Sequence, residues 1–475
     1  MLQLLAVFVA AFALSLALVP VCRHIARRWH LTANPTSERW HDAPTALLGG
    51  VAIAATIFAL EAWLGIWRVI PAIAAGSVLV FALGLCDDLV DLKPYSKLVA
   101  EIALAALFVY QGYRLSWVTS LTLDTILTMV WIVGVTNAFN LLDNMDGLCA
   151  GTTLIAGAAL LITMWLTDGI SPEATHLALV LGATAGFLVY NFHPASIFMG
   201  DSGSLLLGLN LSVLALGQPY GHASSSVLSI VAGPLLVLLI PIFDTTLVTV
   251  SRVFSGRSAA QGGRDHTSHR LVAMGLSERY AVAVLWTLAA LGGLLALSIH
   301  RFQNDWASLA AAVFVLVMII LAVYLAQVRV YDDADAVVLR NSRRTPFVFT
   351  FLYKRRVAEV LLDFCLVSLA YYASFRLRYP GSEFARWFPV FLSSLPIMVG
   401  LQIVALFAVG GYRGVWRYFG LMDGVTFGKA VVVGALATAA AMWAGFDLQP
   451  FPKEVFMIYA ALMMVTLIGS RASFR

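Results

Sequence analysis

The sequence predicts an all-α polytopic membrane protein, and two observations carry that prediction. Hydrophobic residues make up 60% of the 475-residue chain and charged residues only 12%, where a soluble domain carries about 25% charged residues. The apolar residues also fall in continuous runs of the length a bilayer-crossing helix needs, roughly 17–25 residues. They lack the period-2 alternation of a membrane β-barrel.

The runs follow one another at 1–22, 46–67, 69–86, 97–113, 119–138, 150–167, 175–192, 203–218, 226–250, 279–299 and 306–328, and then at 357–377, 387–409, 426–445 and 455–470. The predicted organisation is a bundle of about eleven spans over residues 1–328, a basic linker over 329–356, and about four further spans within 357–475. Residues 1–22 lack a basic n-region, and Leu18-Val19-Pro20-Val21-Cys22 lacks a small-residue cleavage site. The segment therefore reads as a retained first span and not as a signal peptide.

Charge sets the predicted orientation. Most of the 30 Lys and Arg residues fall in alternate loops, among them Arg23, Arg27, Arg28, Lys93, Lys97, Arg252, Arg264, Arg270, Arg343, Arg344 and Arg355. By the positive-inside rule those loops are cytoplasmic, with the N-terminus outside and the C-terminus inside. No basic surface module is present, so nucleic acid is not an expected partner. The four cysteines, Cys22, Cys86, Cys149 and Cys365, lack metal-ligand spacing and lie in or beside apolar runs, where a thiol is a small buried hydrophobe.

Four polar islands interrupt the apolar background, all in loops assigned to the cytoplasmic side. Charge beside the hydrocarbon is expensive, so such groups are functional candidates. In Asp87-Asp88-Leu89-Val90-Asp91, helical spacing crowds three acids onto one edge. A divalent cation such as Mg²⁺ or Mn²⁺ relieves that repulsion and also binds phosphate; an acidic helix cap paired with Lys93 and Lys97 is the plainer alternative. Asn137, Asn140, Asp143 and Asp146 recur every third residue before Gly147. They place a polar stripe along one helix face that suits a nucleobase, a ribose or a coordinated water, or serve as helix caps. Phe198-Met199-Gly200-Asp201-Ser202-Gly203-Ser204 opens a helix whose free N–H groups favour phosphate, with an acid available to a bridging metal. In Arg264-Asp265-His266-Thr267-Ser268-His269-Arg270, basic groups can clamp a pyrophosphate or a sugar. A zinc site there lacks a third ligand.

In this order the islands resemble the polyprenyl-phosphate N-acetylhexosamine-1-phosphate transferases, glycosyltransferase family 4, which include phospho-N-acetylmuramoyl-pentapeptide transferase. The matching stretches are Asp87–Asp91, Asn140–Leu148, Phe198–Ser204 and the loop ending His269-Arg270-Leu271, with Asn191 matching an asparagine ahead of the third motif. The resemblance covers about residues 1–328. It implies transfer of N-acetylhexosamine-1-phosphate from a UDP-sugar to undecaprenyl phosphate with release of UMP, the initiating step of a cell-surface glycan, at the cytoplasmic face of a bacterial inner membrane.

Carried over by the resemblance, Asp87, Asp88 and Asp201 are catalytic and hold Mg²⁺, or Mn²⁺ in its place. Asn140, Asp143, Asp146, Asn191, His266, His269 and Arg270 line the substrate side. The chain departs from the family at Ser268, where a histidine is usual, and at Asp91, where the muramoyl-pentapeptide branch tends to carry lysine; the latter favours the branch that starts O-antigen, teichoic acid or capsule glycans.

Residues 357–475 resemble the membrane segment of polysaccharide-biosynthesis nucleotide-sugar dehydratases and epimerases, through Tyr412-Arg413-Gly414-Val415-Trp416-Arg417-Tyr418, without a Gly-x-Gly-x-x-Gly turn. That implies a docking module for other glycan enzymes, or a bundle that only packs. A lipid-linked glycan transporter or flippase is the competing class for the whole chain. Transporters place their acids at the midplane between paired halves, whereas these gather at one face.

Overall fold

In the computed structural model every apolar run contains helix among the described residues. Residues 1–33, 45–90, 92–117, 120–216, 227–254, 263, 265–302, 305–328, 351–411, 421–445 and 453–473 are described. Nine of the described helices are long and apolar enough to cross a membrane, or ten if a bent pair within 383–409 counts as one span. The chain is an all-α, multi-pass membrane protein. It separates into two units, residues 1–302 with 328–339 and residues 303–327 with 340–475.

The first unit contains α1 (Leu2–Arg28), α2 (Gly49–Leu64), α3 (Pro71–Val90), α4 (Pro94–Tyr110), α5 (Leu121–Leu142), α6 (Leu148–Asp168), α7 (Pro172–Asn191) and α8 (Gly200–Leu216). These are followed by α9 (Val227–Val237), α10 (Leu239–Phe254), the short α11 (Thr267–Ala273) and α12 (Glu278–Phe302). The run at 226–250, read as one span, is two helices. Pro241 has no N–H to donate to the carbonyl four residues back, at Val237, which is where the break falls.

Helix α1 lies along α7. A Cβ on Gly182 would meet the Phe8 carbonyl oxygen at 2.3 Å, and one on Gly186 the Phe12 carbonyl oxygen at 2.7 Å. Small residues four apart thus let two backbones approach, as membrane helices require where no hydrophobic force separates lipid from protein.

A buried polar chain joins four helices well away from the acidic islands. His176 Nδ1 lies 2.6 Å from Glu61 Oε1, and its Nε2 lies 2.6 Å from Asn210 Oδ1. Asn210 Nδ2 donates to Ser77 Oγ and to the Leu206 carbonyl. Those two bonds orient the amide so that its oxygen faces the imidazole, and the chain links α2, α3, α7 and α8.

A small clip sets the start of α8. Strands β1 (Thr32–Ala33) and β2 (Thr45–Ala46) pair antiparallel, and Ala46 bridges in parallel to Ile197. The Gly49 and Gly50 N–H groups, unpaired in their own helix because they open α2, donate to the Phe198 and Met199 carbonyls at 3.0 and 2.8 Å. The third island is thereby held against α2.

In the second unit, α13 (Asp305–Ala326) packs on α14 (Phe351–Arg378), which packs with α15 (Glu383–Val409) and α17 (Lys453–Ser473), while α16 (Leu421–Gly445) packs with α15 and α17. Its core is aromatic, with Tyr371, Phe375, Phe384, Phe391 and Tyr459. Inside it Arg471 Nη2 reaches both oxygens of Asp363 at 2.7 Å, both side chains being fully buried. The Tyr412–Tyr418 motif and most of the predicted linker lie outside the described residues.

Candidate active site

The site forms where α3 and α5 end and α4 and α8 begin, so residues far apart in sequence meet at one end of the bundle. Lys97, in the first turn of α4, is its hub. Its Nζ lies 2.9 Å from Asp87 Oδ2 and 3.3 Å from Asn140 Oδ1, and it also pairs with Asp201 Oδ2. Asp87 Oδ1 accepts from the Leu92 N–H at 2.7 Å. Asn140 Nδ2 donates to Asp201 Oδ1 at 2.8 Å and to Ser204 Oγ at 2.9 Å. The Asp87 side chain is 12% exposed and that of Asp201 34%, so Asp201 is the more open of the pair.

Asp88 differs from its neighbour. Its two oxygens accept the Asp201 N–H at 2.7 Å and the Ser202 N–H at 3.0 Å, so it caps the N-terminus of α8. An acid at the C-terminal end of α3 is disfavoured by that helix's dipole, but the positive end of α8 compensates. The geometry demands glycine at two places. Gly200 has φ +74°, and a Cβ there would lie 2.7 Å from Asp88 Oδ2; a Cβ on Gly84 would lie 2.5 Å from the Asp201 carbonyl oxygen. The sequence groups Asp88 with Asp87 as a metal ligand, yet its oxygens are engaged by backbone.

Asn140 reaches the acids, whereas Asp143 caps the end of α5. Asp146 Oδ2 accepts from the Ala195 N–H at 2.9 Å and lies 3.0 Å from His193 Nδ1. With His193, Phe192, Glu278 and Trp286 it lines a cleft. Asn191 is buried and links two islands: its Oδ1 accepts from the Gly147 N–H and its Nδ2 donates to the Ile197 carbonyl, both at 3.0 Å.

The fourth island is bound in by Ser268, whose Oγ donates to Asn144 Oδ1 at 2.6 Å. His266 Nδ1 lies 2.7 Å from Asp244 Oδ2, while Asp244 Oδ1 accepts the Thr267 N–H and so caps α11. The His266 and His269 rings meet edge-to-face at 5.9 Å. Arg270 is 3% exposed and is spent within the chain, on the Asp265 carbonyl, the Val328 carbonyl and Ser251 Oγ. The clamp expected of it is a strut for the loop. Asp91 and Arg264 lie outside the described residues.

Three further residues of the region carry little signal in the sequence: Lys97 reads as a counter-charge, Glu101 stands outside the polar islands, and Asp244 lies within an apolar run. An acid inside such a run is itself a signal, since hydrocarbon does not tolerate it without a partner.

The donors near Lys97 are carboxylate, amide and hydroxyl oxygens, the set that suits Mg²⁺ or Mn²⁺. The ammonium shows that a cation fits between Asp87 and Asp201. Among the described residues no three His, Cys, Asp or Glu side chains converge on one point. The residues therefore fit an ion held by two carboxylates with other positions left to water or phosphate, the usual pattern for Mg²⁺.

Acids and a lysine gathered at one end of a bundle of apolar helices make this the candidate active site of the first unit. Residues 70–218 match the model of glycosyl transferase family 4. The "Probable undecaprenyl-phosphate N-acetylglucosaminyl 1-phosphate transferase" of Bacillus subtilis (strain 168) is 32% identical over 368 residues, 75% of this chain and 98% of that protein. A decaprenyl-phosphate N-acetylglucosaminephosphotransferase of Mycolicibacterium smegmatis is 31% identical over 63% of this chain and 82% of its own length. A phospho-N-acetylmuramoyl-pentapeptide-transferase of Halalkalibacterium halodurans is 34% identical over 45% and 69%. The chain belongs to glycosyl transferase family 4.

Proposed function

We propose that this protein transfers an N-acetylhexosamine-1-phosphate from a UDP-sugar to undecaprenyl phosphate, releasing UMP, as the first step of a cell-surface glycan. The observation that carries this reading is the pair Asp87 and Asp201, brought from different helices onto the Lys97 ammonium. Its relatives named for prenyl-phosphate acceptors support the same reaction class. The proposed setting is the cytoplasmic face of a bacterial inner membrane, where nucleotide-activated sugars are found, with the N-terminus outside and the C-terminus inside.

In this reaction an oxygen of the lipid phosphate attacks the phosphorus that bears the sugar, and the bond from that phosphorus to the UMP oxygen breaks. Both reactants are anionic, so repulsion dominates the barrier. Asp87 and Asp201 would hold a Mg²⁺ or Mn²⁺ ion, which when bound would neutralise charge on the pyrophosphate and the departing UMP. Asp87 orients the lipid phosphate, or takes its proton. Lys97 adds a positive charge near the reacting oxygens. Asn140 holds Asp201 in place, and Asp88 fixes the helix start on which Asp201 stands. Asp143, Asp146 and Asn191 border the nucleotide side, and His266 and His269 the pyrophosphate or sugar. For residues 357–475 the proposed role is docking of other glycan enzymes; unchanged partner capture and glycan output after deletion of 340–475 would remove it.

The test is incubation of membranes carrying the chain with several radiolabelled UDP-sugars, undecaprenyl phosphate and Mg²⁺. Lipid-linked sugar and UMP should form in equal amounts from one of the donors, and Asp201→Asn should abolish both with expression intact. Near-normal turnover by Asp201→Asn removes that residue from the mechanism. No UMP from any donor overturns the reaction.

A further inference from the structure

Glu101 is a buried acid beside the site that the mechanism above does not use. It lies one turn along α4 from Lys97, on the same face, and is 3% exposed. Its Oε2 accepts a hydrogen bond from Asn137 Nδ2, and Asn137 sits one turn before Asn140 on α5. Its Oε1 is buried with no hydrogen-bond partner among the described residues. It interacts electrostatically with Lys97, Asp201 and Asp87. A buried carboxylate oxygen left unpaired carries a large desolvation penalty, so this position calls for a donor that the present arrangement places elsewhere.

Lys97 is that donor. Its ammonium has three N–H groups, directed at Asp87, Asp201 and Asn140. A divalent cation taking those two carboxylates would compete for the same oxygens and repel the ammonium. Lys97 is 12% exposed, so the displaced charge needs a partner inside the protein. A lysine's flexible stem reaches a carboxylate four residues on without any backbone movement.

We propose that Glu101 is the receiving partner for Lys97: on cation binding, the ammonium leaves the Asp87–Asp201 pair and settles on Glu101 Oε1. The inference rests on the metal reading above and adds a positioning residue to it. In the cation-free site Lys97 bridges the two acids. In the loaded site Glu101 keeps Lys97 beside the reacting phosphates and out of the cation's place. Asn137 occupies the other oxygen, Oε2, which leaves Oε1 for the lysine.

The test is Mn²⁺ binding to the purified full chain in nanodiscs, followed by electron paramagnetic resonance without substrate, for wild type, Glu101→Gln, Lys97→Met and the double variant. Thermal unfolding of each confirms the fold. Glu101→Gln removes the receiving charge, so Lys97 stays in competition and Mn²⁺ affinity should fall about ten-fold, equivalent to about 1.4 kcal/mol. In the Lys97→Met background the same change should cost less than about two-fold, because the competitor is gone; this non-additivity is the signature of coupling. An equal loss in both backgrounds shows that Glu101 acts on the cation directly, and overturns the inference while leaving the metal site standing. Unchanged affinity in Glu101→Gln overturns it as well. Absence of Mn²⁺ binding by the wild type overturns the metal reading, and this inference with it.

Discussion

Asp88→Asn separates a positioning role from a ligand role. The Asp88 carboxylate accepts two backbone N–H groups at the start of α8, at 2.7 and 3.0 Å. Asparagine has one acceptor oxygen, so the second N–H would face an amide NH₂ group. The loss is one charge-assisted hydrogen bond, worth about 1.5–3 kcal/mol, together with a charge–dipole contribution of about 0.3–1 kcal/mol at the α8 N-terminus. The expected destabilisation is therefore about 2–4 kcal/mol, read as a lower midpoint for thermal loss of the monodisperse peak in detergent. Asp201 follows its helix start. A displacement near 1 Å of a catalytic group costs on the order of 10²-fold in rate, so UMP release should fall by that order. Mn²⁺ affinity should fall much less than in Asp201→Asn. Unchanged thermal stability together with complete loss of Mn²⁺ binding would refute the cap and make Asp88 a ligand.

Other outcomes follow from the same geometry. Gly200→Ala forces a left-handed φ of +74° on an alanine and brings its Cβ against Asp88; it should cost at least ~1–2 kcal/mol and lower turnover with it. His176→Ala leaves Glu61 buried without its partner and should destabilise the first unit by about 3–5 kcal/mol, measured by thermal unfolding, even though it lies apart from the acidic site. Ser268→His restores a residue usual in the family, but Ser268 is fully buried and bonded to Asn144; overpacking of about 1–3 kcal/mol should lower activity, and a gain in turnover would contradict the packing described. Chelation with EDTA should abolish UMP release and Mg²⁺ should restore it; activity that persists under chelation would contradict the metal reading.

Much of this architecture is legible in the sequence because hydrocarbon permits so few solutions. Each of the apolar runs holds a helix among the described residues, and the run at 226–250 breaks where Pro241 withholds a donor. The site is legible as four polar islands, and the structure ties them together through Asn140, Asn191 and Ser268. The division of labour among their residues is not. Asp87 and Asp88 are adjacent and chemically identical, yet one faces Lys97 and the other faces the backbone of α8, a difference set by helix orientation alone. Arg270 looks like an anion clamp because its sequence neighbours are polar, yet it bonds to a loop, a helix end and residue 328. Asp244 is masked in the sequence by the apolar residues around it, which make its run look like an uninterrupted span. Lys97 reads as a surface counter-ion, because the ends of four helices must converge before its central place appears.

The central claim is that Asp87 and Asp201 hold one divalent cation between them. Mn²⁺ titration of the full chain, monitored by electron paramagnetic resonance, tests it most directly. The account predicts one bound ion in the wild type, with affinity sharply reduced by Asp87→Asn and by Asp201→Asn, and little further loss when the two are combined. Undiminished binding in either single variant would contradict it.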